Sequence, residues 1–391
     1  MQILYGFSNC TDKTYNRIIS ERNNAALMPD QKYHGLMIKG LAENGAQVKC
    51  ISGLPVNRAV TARKLVREPD EQEGNAHYHY ITTLNFPVLR QLMILFGTLF
   101  SVLKTKKTAD TYAIYDCLNL ANAYGMALGC RLKKIPAVTI VTDLPDMERQ
   151  SGTAKNVNNR LFNKADGFIL LTEQMNGRVN HRGMPHIVLE GHVDSHAPAP
   201  EEVPTYEETE GLKTILYAGS LKKIYGIRAL TEGFIQAAVP GSRLHIYGEG
   251  DFRKELEELC KNYDNVCYLG VKKNSEIVAE EQKASLLVNP RPSAPEYTKY
   301  SFPSKNMEYM VSGTPLLTTH LPGMPDEYIP YVSLIEEETS EGIAKALKLF
   351  FSASLSERRE KGRAAREFVL KNKSNTVQAK KILDFLSAQV K

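Results

Sequence analysis

YSFPSKNMEYMVSG, running from Tyr300 to Gly313, reads as a loop that turns into a helix near Pro303 and stops at Gly313. Proline presets φ for a first helical turn and loses nothing there by lacking an amide hydrogen. Glycine accepts the left-handed conformation that ends a helix. With about 3.6 residues per turn, Ser304, Lys305 and Glu308 share a polar face, opposite an apolar one of Met307, Met310 and Val311. A hydroxyl, an ammonium and a carboxylate thus meet at a helix N-terminus, where free amides and the dipole already favour anions. A phosphate near Ser304 and Lys305, with a sugar hydroxyl donating to Glu308 one turn on, suits this pattern. So does a surface helix with solvated charges.

Outward from this stretch, short apolar strands alternate with amphipathic helices. TILYAGS, RLHIYGEG, NVCYLG and SLLVNP precede it, and TPLLTT and YVSLI follow. The first half repeats the pattern with QILYGFS, AQVKCIS, HYHYITT, TYAIYDC, PAVTIVTD, GFILLT and HIVLE, with a long loop from Ser8 to Gln31 before a helix from Tyr33 to Glu43. Such alternation predicts parallel sheets covered on both faces. Between the halves, HAPAPEEVPTYEETEG is rich in proline and glutamate without apolar periodicity, the texture of a linker. The expected fold is α/β, with two doubly wound Rossmann-like domains facing across a cleft. Residues 1–194 form the first, 195–212 the linker, and 213–374 the second, while a C-terminal helix over 375–391 crosses back to the first.

At 391 residues the chain is long enough for two such domains. Hydrophobic content of 42% and charged content of 24% exclude disorder, collagen and coiled coil as global descriptions. A net charge of +5 suits anionic partners but falls short of a nucleic-acid signature, so no nucleic acid is expected. The six cysteines form no CxxC pair, which points away from a disulfide framework or a zinc site and toward a reducing cytoplasm. The N-terminus has no signal-peptide pattern. No apolar run reaches the ~18 residues of a membrane span. The nearest, LMILFGTLFSVL from Leu92 to Leu103, is followed by Lys104, Lys106 and Lys107. A buried helix packed on a sheet explains it, and the basic tail also fits an interfacial helix on an anionic membrane.

Three glycine turns end strands of the second half: Gly219-Ser220, Gly248-Glu249-Gly250 and Gly270. Glycine lets backbone amides approach phosphate or base at the carboxyl ends of strands, where ligands of doubly wound sheets bind. Each is most simply a turn; together with the Ser304, Lys305, Glu308 helix they outline a nucleotide site. Neither GxGxxG nor a P-loop occurs in the first half. Asp143 ends PAVTIVTD and reads either as a site residue or as a turn cap. His181, His186 and His192 lack metal spacing and are taken as structural.

FPSKNMEYMVSGTPLLTT, with YAGSLKKIYGI, HIYGEGD, LLVNPRP and TDLPD, resembles the family 4 glycosyltransferases, retaining enzymes of the GT-B fold that use nucleotide-sugar donors. The resemblance runs the length of the chain and is most specific over the FPSK to EYM stretch, that of an FPSK-type branch. It implies that Glu308 holds the donor ribose. The family's first acidic residue falls at Tyr300, so contacts to the sugar hydroxyls would pass to backbone around Ser301 and Phe302 or to Glu296. Where the family presents Arg and Lys toward the diphosphate, this chain has Ser220 and Tyr225, leaving Lys222, Lys223 and Lys305 to supply charge. A solvated loop is the simpler explanation for at least one of Lys222 and Lys223. The resemblance further implies base reading by the main chain at Val271, and Asp143 against the donor sugar. No divalent metal and no cofactor are expected.

These readings make the chain a cytoplasmic transferase, with a place on the inner face of the membrane through the Leu92 to Lys107 segment. It would move a sugar from a nucleotide donor, UDP before GDP, to a lipid-linked or polysaccharide acceptor. A nucleotide-sugar epimerase and a non-catalytic sugar-nucleotide binding subunit share the same features.

Overall fold

The computed structural model describes residues 1–20, 29–56, 61–144, 152–198 and 203–390. The chain divides into unit 1, Met1–His192 with Ser374–Lys391, and unit 2, Val193–Lys373.

Unit 1 is built on an eight-stranded sheet in the order His186–Val188, Gly167–Leu170, Ala137–Val141, Thr111–Asp116, Gln2–Gly6, Gln47–Ser52, Ala76–Tyr80 and Glu71–Glu73. Only the last pairing is antiparallel. Every residue of Ala137–Val141 is buried, as befits a strand covered on both faces. The helices Pro29–Glu43 and Asn375–Gln389 pack on one face, where Met37, Ile38, Ala379, Ile382 and Phe385 join Ile3 and Tyr5 in one core. The helix Leu120–Lys133 lies on the other face: a Cβ at Gly6 would stand 2.4 Å from its Met126.

The stretch from Ser8 to Gln31 is not the long loop expected. Asp12–Ser20 is helical, opened by Thr11, whose hydroxyl accepts the Thr14 amide at 3.2 Å. The next helix starts at Pro29, ahead of Tyr33, and residues 21–28 lie outside the described ones.

The Leu92 segment also departs from expectation. Its helix runs from Pro87 to Lys104, and by length and composition alone it could cross a membrane. It is not a buried helix: it buries only Ile94, Thr98, Ser101 and Val102. That stripe packs on the Leu120–Lys133 helix, where a Cβ at Gly125 would meet the Leu95 carbonyl at 2.6 Å and one at Gly129 would meet Val102 at 2.8 Å. Two glycines four residues apart let the helices approach closely. The other stripe leaves Val88 75%, Leu92 47%, Phe96 50% and Phe100 56% exposed.

Unit 2 carries a six-stranded sheet, all parallel, in the order Val266–Tyr268, Ser242–Tyr247, Lys213–Ala218, Leu286–Asn289, Leu316–Thr318 and Ser333–Leu334. The chain lays down the first three outward from Lys213–Ala218, then returns to start the other half at Leu286–Asn289. The switch point between those two strands is where such sheets bind ligands. Helices Ile227–Ala237 and Ser340–Ser352 pack together over one core, with Ile215, Leu230, Phe234, Leu244, Ile343 and Leu347. Helices Ser304–Ser312 and Leu355–Lys373 pack against each other.

The expected linker over 195–212 is in part folded into unit 2. Thr205 and Glu208 form a capping box that opens a helix over Tyr206–Glu210, ended by Gly211 at φ 69°. Its Glu207 receives both ends of the buried Arg358 guanidinium at 2.8 Å. Proline and glutamate content reads as a linker only until a distant arginine captures one of those glutamates.

Candidate functional site

The glycine turns meet at the carboxyl ends of unit 2's strands. Gly219 donates to the Tyr247 carbonyl at 3.1 Å, Gly248 to the Gly270 carbonyl at 2.8 Å, and Leu221 to the Glu249 carbonyl at 2.9 Å. Gly248 has φ 133°, and a Cβ there would stand 1.8 Å from the Gly219 oxygen. At Gly250 it would stand 2.3 Å from the Leu221 carbonyl carbon. Only glycine fits these two places, so three turns spaced along the chain become one continuous backbone surface.

The helix from the opening stretch spans Ser304–Ser312, with Pro303 at its cap and Gly313 at φ 83° after it. No side chain caps its N-terminus at the exposed Ser304, while the Asn306 amide turns back to the Pro303 carbonyl at 2.9 Å. Its buried face is more polar than the sequence pattern implied. Tyr309 is fully buried, and its hydroxyl accepts the Ala218 amide at 2.9 Å and donates to the Ala218 carbonyl at 3.1 Å. Burial raises its pKa well above the ordinary phenol range, so the proton stays on. Asn306, also buried, accepts from Asn289 at 2.7 Å and donates to Thr318 at 3.3 Å. These bonds tie the helix to the Lys213–Ala218, Leu286–Asn289 and Leu316–Thr318 strands, and so fix the helix that carries Ser304, Lys305 and Glu308 to the strand that leads into the first glycine turn. Tyr309, Asn306, Asn289 and Thr318 escaped the sequence reading, because a polar residue on an apolar helix face shows its purpose only with its partners. Tyr309→Phe is expected to lower stability by about 1–3 kcal/mol, the cost of leaving buried backbone groups unpaired, readable by chemical denaturation. A loss under ~0.5 kcal/mol would show that the hydroxyl does not anchor the turn.

Lys305 and Glu308 pair with each other at 2.8 Å. Desolvation pulls the Lys305 pKa down, but Glu308 and Glu281 outweigh it and raise the pKa, so the ammonium stays charged. Lys223 does not offer a free charge. Its ammonium pairs with Glu255 and its amide donates to Asp251 at 2.7 Å. Lys222 lies 5.9 Å from the Tyr225 ring centroid. Ser220 is exposed, with its carbonyl receiving the Tyr217 hydroxyl at 2.9 Å. Val271 is 69% exposed after Gly270, open to a flat ligand. Glu296 is exposed at the start of a helical turn over Glu296–Tyr300. Phe302 is buried against Tyr328 with centroids 5.1 Å apart, so only its backbone can face a sugar. The Ser301 hydroxyl is buried without a hydrogen-bond partner among the described residues.

In unit 1, Asp143 is exposed just beyond Ala137–Val141, and Pro145 and Asp146 of the TDLPD motif lie outside the described residues. The start of the Pro29–Glu43 helix holds a buried group that the sequence did not disclose. His34 stacks on Phe7 at 3.6 Å, meets the Tyr5 hydroxyl at 2.7 Å through Nδ1, and faces Asp116 at 3.3 Å through Nε2. His192 donates through Nε2 to the Tyr33 carbonyl at 2.9 Å, and burial lowers its pKa to about 4, consistent with a structural role. Among the described residues no three His, Cys, Asp or Glu side chains group as metal ligands.

Residues 199–368 match the family model described as glycosyl transferases group 1. No curated protein matches the chain. Sucrose-phosphate synthase from Thermosynechococcus elongatus is 15% identical with a TM-score of 0.68, over 99% of this chain and 100% of its own. HepE of Anabaena in complex with UDP is 14% identical with a TM-score of 0.65, over 99% and 100%. E. coli trehalose-6-phosphate synthase bound with UDP-2-fluoro glucose is 12% identical with a TM-score of 0.69, over 100% of both chains. The fold class is that of GT-B glycosyltransferases, and the group 1 match supports a glycosyltransferase enzyme.

Proposed function

We propose that the chain is a retaining glycosyltransferase of family 4, of the FPSK-type branch, that moves a sugar from a UDP-sugar to a hydroxyl of a lipid-linked or polysaccharide acceptor. The observation that carries this reading is the single backbone surface of Gly219, Gly248 and Gly250, tied through the Tyr309–Ala218 bonds to the helix that starts without a side-chain cap at Ser304. Free amides at that surface suit a diphosphate, Glu308 suits a ribose hydroxyl, and the exposed Val271 backbone suits a base. UDP is preferred because similar folds hold it in HepE and hold UDP-2-fluoro glucose in the E. coli enzyme.

In the reaction the anomeric carbon–oxygen bond breaks and its electron pair stays on the β-phosphate oxygen. The acceptor oxygen bonds to the same face of the sugar, and its proton passes to that phosphate oxygen. Lys305 and the helix N-terminus oppose the charge that grows on the leaving diphosphate. No divalent metal is needed for this charge balance. Asp143 is assigned to the donor sugar.

For the acceptor, unit 1 has a cavity of about 910 Å³ lined by Ser8, Gln31, Asn119 and Arg90, and toward the helix by Val88 and Leu92. A mostly apolar lining with a few polar groups, which shares Leu92 with the exposed stripe of Leu92, Phe96 and Phe100, suits an acceptor with a lipid tail. Lys104, Lys106 and Lys107 at the end of that helix suit an anionic leaflet, which supports a peripheral position on the inner face of the membrane for a cytoplasmic enzyme. The protein is expected to sediment with phosphatidylglycerol vesicles at low salt, and Phe96→Glu with Phe100→Glu to stay in the supernatant. Wild type in the supernatant would remove the membrane from the account.

The test of the reaction is release of UDP from a panel of UDP-sugars, with and without lipid-linked acceptor, followed by product analysis. Acceptor-dependent release with an α-configured product from an α-configured donor is expected. An altered sugar nucleotide formed without acceptor would make the chain an epimerase. Binding without turnover would make it a non-catalytic subunit.

A further inference from the structure

Arg291 follows the Leu286–Asn289 strand, at the switch point of unit 2 and facing the loop that follows Lys213–Ala218. Gly226, at φ 79°, joins the two loops: a Cβ there would stand 2.1 Å from the Pro290 oxygen. The Arg291 guanidinium lies between two aromatic faces, 4.7 Å from the Tyr225 centroid and 5.1 Å from that of Tyr297. Among the described residues it has no hydrogen-bond or carboxylate partner, and its Nε is buried unpaired. The Tyr297 hydroxyl and the Ser301 hydroxyl, in the same loop, are buried unpaired as well. Other cations of this rim have carboxylate partners: Lys223 pairs with Glu255, Lys272 with Glu280 and Lys305 with Glu308.

A buried polar group without a partner is costly, and three within eleven residues of chain call for an explanation. Aromatic faces attract a guanidinium through their quadrupole yet take none of its N–H donors. Tyr225 and Tyr297 therefore position a cation without neutralising it. Lys222, on the same Tyr225 ring at 5.9 Å, is likewise without a carboxylate among the described residues. Two positive groups converge on one tyrosine at the switch point, and a planar guanidinium fork matches phosphate oxygens in pairs.

We propose that Arg291, held on Tyr225 and Tyr297 and joined by Lys222, binds the diphosphate together with Lys305, as a cation that has no carboxylate partner among the described residues. It takes over Lys223's share of the charge that the sequence reading assigned to Lys222, Lys223 and Lys305 together. The proposal rests on the nucleotide-sugar reading above and specifies which charge meets the leaving group: as the anomeric bond breaks, the electron pair arriving on the β-phosphate oxygen faces Arg291.

Calorimetric titration of UDP, uridine and inorganic pyrophosphate into wild type, Arg291→Gln, Arg291→Lys, Tyr225→Phe and Tyr225→Leu tests it, with unliganded melting temperatures to check folding. Arg291→Gln is expected to lose about 10- to 100-fold in UDP affinity while uridine binding is unchanged. Arg291→Lys and Tyr225→Leu should fall between, and Tyr225→Phe, which keeps the ring, should match wild type. UDP binding unaltered in Arg291→Gln, or equal losses for UDP and uridine, would overturn the proposal. Arg291-dependent binding of pyrophosphate without binding of UDP would leave the anion site standing and sink the nucleotide-sugar reading. Binding of neither would sink both.

Discussion

Glu308→Ala is expected to weaken UDP binding by about 10- to 150-fold, the ~1.5–3 kcal/mol of a charged hydrogen bond. The carboxylate sits one turn into the Ser304–Ser312 helix and is 28% exposed, so a ligand can reach it. It also holds Lys305 at 2.8 Å, and the variant would leave that ammonium without this partner. The two roles separate with a second ligand. If Glu308 accepts from the ribose, wild type should prefer UDP over 2′,3′-dideoxy-UDP and the variant should not distinguish them. An equal loss for both ligands would reduce Glu308 to a positioning residue for Lys305.

The second large effect is structural. Gly248→Ala places a methyl group 1.8 Å from the Gly219 oxygen on a backbone with φ 133°. Neither neighbour can step aside, because Gly219 is bonded to Tyr247 and Gly248 to Gly270. Strain of an unsuitable backbone and overpacking each cost about 1–3 kcal/mol, so a loss of ~2–6 kcal/mol in chemical denaturation is expected, with UDP binding abolished. Gly177→Ala, where nothing lies within 4 Å, is the control and should stay within ~0.5 kcal/mol of wild type. Similar behaviour of the two variants would show that the glycine turns are ordinary loops.

The alternation of apolar strands with amphipathic helices made both parallel sheets legible, because strands covered on two faces are apolar along their whole length. The opening stretch also kept its predicted bounds, since Pro303 and Gly313 act through local backbone geometry. What escaped depends on distant partners. Arg358 turns part of the expected linker into structure, and the Gly125 and Gly129 groove decides which stripe of the Pro87–Lys104 helix is buried. Glu71–Glu73 is an antiparallel edge strand, with Glu73 paired to Ala76 around a turn of Gly74 and Asn75. A glycine-asparagine pair between strands is a hairpin signal that was present in the chain. In the site, sequence pointed to Ser304, Lys305, Glu308 and the glycines, where spacing alone carries meaning. It could not tell Lys223 from Arg291, because which cation keeps its charge free depends on where Glu255 and Tyr225 fall in space.

The proposed function requires a nucleoside diphosphate to bind at the carboxyl ends of unit 2's strands. Amide hydrogen exchange with and without UDP reads this directly, residue stretch by residue stretch. Added protection is expected over 219–226, 248–252, 270–272 and 301–309. No protection there at saturating UDP, or protection confined to unit 1, would contradict it.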